Sequence, residues 1–192
     1  MRAWQVHELG DPGEVLKLEE VEDPEPGPGE VVVEVEAAAL NFFDILLCKG
    51  EYQERPELPF TPGAEVSGTV IAAGDSANLP TGTRVIATPP LPKGGFAEKV
   101  TVPIVGSVFP IPDAMPSEAA ASMHTVYQTA YVGLHRRANL EQGETVLVHA
   151  GAGGVGSAAV QVAKAAGARV ISTAGGPEKV EICRELGAEI AV

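Results

Sequence analysis

Hydrophobic and polar positions alternate over short runs in the first hundred or so residues, and the alternation then gives way to helical spacing. Residues 3–6, 15–21, 31–39, 64–73, 84–87, 96–102 and 106–111 read as strands. Glycine and proline punctuate them. Gly10-Asp11-Pro12-Gly13 is one turn, and the stretch from Pro24 to Gly29 is a second, more rigid one. Residues 41–47 are predicted to make one or two helical turns, and residues 51–62 a loop carrying Tyr52 and three prolines. Short strands at this spacing predict a partly open β-barrel rather than a series of βαβ units.

Pro110, Pro112 and Pro116 end that region, with Pro116 suited to a first helical turn. Residues 118–137 are predicted mostly helical. The boundary falls near residues 112–125, giving two domains, 1–118 and 119–192. In the second, residues 145–149 form a β-branched apolar run, and Gly151, Gly153 and Gly156 follow as G-x-G-x-x-G. A helix over 157–166 comes next, its apolar face assigned to Val155, Ala158, Ala159, Val162, Ala163 and Ala166. Gly167 closes it. Residues 169–173 make a second strand, 178–186 a helix stopped by Gly187, and 189–192 begin a third strand.

A glycine triplet between a strand and a small-residue helix is a dinucleotide fingerprint. The first glycine allows a tight turn, the second lets backbone approach a pyrophosphate, and the third lets helix and strand pack closely. Free N–H groups at the helix start then hold the anion. A glycine-rich turn that merely packs an alanine-rich helix is the plainer alternative. Cofactor contacts are expected along Gly151, Ala152, Gly153, Gly154, Val155 and Gly156, and at Thr173, Gly175 and Lys179. An NAD site places an Asp or Glu about 20 residues on, at the end of the second strand, to hold the ribose 2′-hydroxyl. Here that place reads Ser172-Thr173-Ala174-Gly175-Gly176. A carboxylate would repel a 2′-phosphate, whereas small residues leave room for one, so NADPH is the expected coenzyme. Lys179 either reaches that phosphate as a point charge or is a solvated helix lysine.

The net charge of −13 is uneven: 15 acidic and four basic side chains lie in the first 60 residues. No basic cluster suits a nucleic-acid surface. The nearly neutral remainder suits an anionic cofactor, and the acidic part reads as solubility. Cys48 and Cys183 are the only cysteines, which argues against a disulfide framework and for a reducing compartment. With neither a signal peptide nor an apolar run of about 20 residues, the expected address is cytoplasmic, without a membrane. A dinucleotide domain usually has two mononucleotide-binding halves, and only the first is legible, so a fragment of a longer protein is expected, or a chain completed by a partner.

The opening Met1-Arg2-Ala3 and the motifs PEPGPGEVVVEVEAAALNFFD, LPFTPGAEVSG, GGFAEKV, QTAY and LVHAGAGGVGSAAVQVAKAAGA carry a resemblance across essentially the whole chain. It resembles the medium-chain dehydrogenase/reductase superfamily, specifically the zinc-independent, zeta-crystallin-like quinone oxidoreductases. The resemblance implies an α+β fold: a GroES-like, partly open β-barrel followed by an incomplete α/β Rossmann domain. Zinc-dependent relatives carry ligands where this chain has Asn41, Ala64 and near Thr125, so no metal is expected. Asp44 and Glu65 alone would make a poor zinc site. The resemblance places Asn41 and Tyr52 as catalytic candidates and Thr129 beside the nicotinamide. An amide and two hydroxyls can orient the ring or donate to a developing oxyanion. Asn41 as a helix cap, Tyr52 as an exposed loop aromatic and Thr129 bonded within its own helix are the plainer roles. The loop departs from the common Gly-Ala-Ala-Gly-Gly-Val-Gly in beginning Ala150-Gly151-Ala152, and Gln128 replaces an apolar or glycine residue beside Thr129. The implied activity is NADPH-dependent, metal-free hydride transfer to a quinone or enone by the full-length protein, as a homodimer. A non-catalytic nucleotide-binding fragment and a zinc-type alcohol dehydrogenase are the alternatives.

Overall fold

The computed structural model describes residues 1–192, which divide into two compact units, Met1–His124 and Thr125–Val192. The first unit opens with β1 (Arg2–Val6), a one-turn helix α1 (Pro12–Val15), β2 (Leu16–Glu20) and β3 (Glu30–Ala38). Helix α2 (Phe42–Lys49) follows, then β4 (Val66–Ala73), β5 (Arg84–Ala87), β6 (Lys99–Pro103), β7 (Val108–Pro110) and α3 (Ser117–Ala121).

Strands β6-β3-β4-β5-β7 form one antiparallel sheet in that order, so its edges, β6 and β7, do not pair and no closed barrel results. Alternation sets its inner face. Val33 lies opposite Val70 on one side and Val100 on the other, and all three are buried with Val31, Val66, Val85 and Val102. The β1–β2 hairpin attaches through backbone bonds from Trp4 N–H to the Phe96 carbonyl (2.9 Å) and from Val6 N–H to the Phe60 carbonyl (2.8 Å).

The strand expected over 15–21 starts at Leu16, because Asp11 caps a helical turn by accepting from Gly13 N–H. Pro12 at its first position fits that turn. The helix expected over 118–137 is broken. Ser117–Ala121 ends where the Ser122 hydroxyl donates back to the Ala119 carbonyl, α4 (His124–Tyr131) begins anew, and Val132–Arg137 widens into π-helix. The last bond of that segment runs from Ala138 N–H to the Gly133 carbonyl.

The second unit carries α4 from Thr125 onward, then β8 (Thr145–Val148), α5 (Gly154–Ala165), β9 (Arg169–Ser172), α6 (Pro177–Leu186) and β10 (Ile190–Ala191). The strands are parallel in the order β10-β9-β8. Val148, Val160, Ala163, Val170, Cys183 and Ala191 form the core shared by α5, α6 and one sheet face. Of the face expected on α5, Ala158 and Ala163 are fully buried and Ala159 packs on the core, but Val155 is not part of the buried side and Val160 is. Val160 is fully buried, two and three residues from Ala158 and Ala163 along the helix, while Val155 is 46% exposed in the first turn. No helix is long and apolar enough to cross a membrane.

Candidate functional site

In the second unit, the glycine loop joins the end of β8 to the start of α5. Gly151 and Gly156 fit by having no side chain. A Cβ on Gly151 would overlap the Ser172 hydroxyl of β9 and come within 3.0 Å of Cys183 Sγ, and one on Gly156 would overlap the Ala150 carbonyl. Gly151 N–H donates to the Thr173 carbonyl (3.0 Å), and Gly153 N–H to that of Ala150 (2.9 Å). These bonds fold the loop over the sheet end. Ala150 takes φ 53°, the left-handed region that glycine occupies more readily. Gly153, Gly154 and Val155 are exposed, and no side chain caps α5. Its first-turn N–H groups therefore face outward without an internal partner, the arrangement that receives an anion. Ala152 is partly buried against the core below.

At the neighbouring strand end, Thr173 Oγ1 shares a hydrogen bond of 3.1 Å with His149 Nδ1, so the tips of β8 and β9 are joined by their side chains. Gly175 lies open, with nothing within 4 Å of an added Cβ. Lys179 stands exposed in the first turn of α6. No carboxylate occupies the segment from Ser172 to Gly176.

In the first unit, Asn41 is the N-cap of α2, reached through the short connection from β3. Its backbone N–H donates to Asp44 Oδ2 (2.8 Å), the returning half of a capping box. Its side-chain Nδ2 donates to Glu65 Oε1 (2.9 Å). Asp44 is 4% exposed, and its other oxygen accepts from Gly63 N–H (3.1 Å). Burial pushes the Asp44 carboxyl above its ordinary range, the two N–H donors pull it down, and nearby Glu65 pushes it up again. Burial, and then the Asp44 charge, raises the Cys48 thiol below. Sequence reasoning weighed Asp44 and Glu65 only as metal ligands. It missed that together they hold Asn41, a contact spanning 24 residues with no local signal.

Asn41 and Tyr52 line different clefts. Asn41, Asp44, Cys48, Phe42 and Phe96 border one of about 320 Å³, with Leu40 and Phe42 exposed beside it. Tyr52 packs its ring against Phe43 at 5.4 Å and borders another of about 260 Å³ with Leu47, Gly63, Ala64 and Leu91. Thr129 lies in the second unit, where its hydroxyl donates to the Thr125 carbonyl one helical turn back (2.6 Å). No three His, Cys, Asp or Glu side chains stand together as a metal-binding group.

Two known families match the chain, one within each unit. The alcohol dehydrogenase GroES-like domain family matches residues 27–113, and the zinc-binding dehydrogenase family matches residues 154–192. The latter stretch contains Cys183 but no histidine. A quinone oxidoreductase-like protein 2 homolog of Nematostella vectensis is 41% identical over 194 residues, spanning 100% of this chain and 52% of that protein. A probable oxidoreductase from Mycobacterium abscessus superposes with a TM-score of 0.92 at 40% identity, over 100% of this chain and 60% of its own. The quinone oxidoreductase of Thermus thermophilus, solved also in its complex with NADPH, gives 0.85 at 43% identity, over 100% and 59%. The chain thus spans little more than half the length of these relatives.

Proposed function

We propose, for a chain that belongs to the medium-chain dehydrogenase/reductase superfamily, that the whole protein is an NADPH-dependent, metal-free reductase of quinones or α,β-unsaturated carbonyl compounds. The observation that carries this reading is the open glycine loop at the start of α5 beside a strand end without a carboxylate. The cradle fits a dinucleotide. Gly151 and Gly156 let the loop seat closely on Ser172 and on the Ala150 carbonyl, where added Cβ atoms would clash, and the uncapped helix start offers N–H donors to a pyrophosphate. Thr173, Gly175 and Lys179 border the place for the 2′-phosphate, where Lys179 supplies positive charge.

NADPH supplies the hydride when bound. The protein's own part is to orient the ring and meet negative charge on the substrate oxygen. Asn41 brings an amide whose position is fixed by Glu65, and Tyr52 brings a hydroxyl on a packed ring. Thr129 brings a second hydroxyl. Leu40 and Phe42 offer apolar surface for a flat, electron-poor substrate. Asn41, Ala64 and Thr125 supply neither thiolate nor imidazole for a zinc site.

A panel of quinones, enones and simple alcohols tests the reading, using the whole protein with each coenzyme. Reduction of quinones or enones by NADPH, without loss of turnover on chelation, is the expected result. Turnover confined to alcohol oxidation, with a stoichiometric requirement for zinc, would overturn it.

A further inference from the structure

We infer that Glu65 is the positioning residue of the Asn41 amide, an assignment that rests on the role proposed above for Asn41. Glu65 is 1% exposed at the entrance to β4 and grips the connection from β3 to α2 twice. Its backbone carbonyl accepts from Ala39 N–H (3.1 Å), and its Oε1 accepts from Asn41 Nδ2 (2.9 Å). Asp44 completes the frame, taking Asn41 N–H on one oxygen and Gly63 N–H on the other. Residues 39–44 and 63–65 are thereby tied at both backbone and side chain.

The chemistry of the pair fixes more than distance. The two ends of an asparagine amide are nearly equal in size but opposite in hydrogen bonding, so packing alone does not choose between its orientations. A carboxylate only accepts. Glu65 therefore commits Nδ2 to itself and holds the Asn41 amide in one orientation beside the 320 Å³ cleft that Asn41 borders. Burying a carboxylate is a costly way to fill space, and an apolar side chain would pack at lower cost. Holding one neighbouring dipole in a single orientation is what the carboxylate adds.

Steady-state kinetics of the whole protein with NADPH and 1,4-benzoquinone test this with Glu65→Leu, Asn41→Leu and the double variant. Glu65→Leu is expected to lower kcat about 10–100-fold, the scale of an ångström's misplacement, while KM changes less than about threefold. Glu65→Gln, whose carbonyl can accept the same N–H, is expected to recover most of that loss. In the Asn41→Leu background, Glu65→Leu should cost nothing further, because its effect passes through the amide. If Glu65→Leu does not fold, Glu65→Asp keeps the charge but withdraws the acceptor by roughly one bond of about 1.5 Å, and the same loss of kcat is expected. Equal losses from Glu65→Leu with and without Asn41 would overturn the positioning role and leave the Asn41 reading standing. An unchanged kcat in Asn41→Leu would overturn both.

Discussion

Gly151 and Ser172 are packed so closely that a single added methyl would overlap the serine hydroxyl, which itself donates to the Val148 carbonyl (3.1 Å). The loop after β8 is therefore seated directly on β9. Gly151→Ala must push loop and strand apart, an overpacking cost of about 1–3 kcal/mol. It should also weaken NADPH binding. Thermal melting and coenzyme titration check this against Gly133→Ala, where nothing lies within 4 Å and stability should rise by about 0.5–1 kcal/mol.

Ala150 makes the opposite prediction. At φ 53° its Cβ sits in a region that costs an L-residue about 1–2 kcal/mol, so Ala150→Gly should stabilise the second unit by about 1 kcal/mol. Denaturant unfolding followed in that unit reads the shift. An unchanged or lower midpoint would count against this backbone geometry.

Two carboxyls should titrate in opposite senses. Burial raises Asp44 above its ordinary 3.8, so its protonated form is favoured in the fold. The stability it contributes is full below 3.8 and declines as pH rises through the raised value. Asp23, bonded to Lys99 and the N-terminal amine, is lowered to about 2. Its contribution is present above 3.8 and lost as pH falls through about 2. Carboxyl-resolved NMR titration should place the two on either side of 3.8. The advantage of the wild type over Asp44→Asn should shrink with rising pH, and that over Asp23→Asn with falling pH.

The strands and the glycine fingerprint were legible because they depend on neighbours in sequence. The β-branched run before Gly151 and the residues of β5 lie where alternation places them. What was not legible depends on contacts far along the chain or on competition within a turn. The Ser122 back-bond breaks a helix whose composition reads as continuous, and Asp11 converts the start of a strand into a helical turn. Asn41 was visible as a candidate, but its tie to Glu65 arises only when β4 is laid beside β3. On α5, Ala158 and Ala163 are buried as their spacing predicts, whereas the burial of Val160 and the exposure of Val155 depend on how the helix start is held by the loop after β8.

Leu147 pairs with Ile171, and Ile171 with Ile190, giving an apolar row across β8, β9 and β10 on the face away from α5 and α6. Leu147 is 56% exposed. Parallel sheets ordinarily bury both faces, so the 192-residue chain should self-associate through this row. Leu147→Lys is expected to reduce that association in sedimentation velocity while changing stability by no more than about 0.5 kcal/mol. Association unchanged by the substitution would place the contact elsewhere.

The coenzyme assignment is tested most directly by fluorescence titration of the protein with NADPH and with NADH under the same conditions. The strand end from Ser172 to Gly176 has no carboxylate, and Lys179 stands in the adjoining helix. NADPH is expected to bind at least about tenfold more tightly, a difference of about 1.4 kcal/mol. NADH binding as tightly as NADPH, or more tightly, would contradict the account.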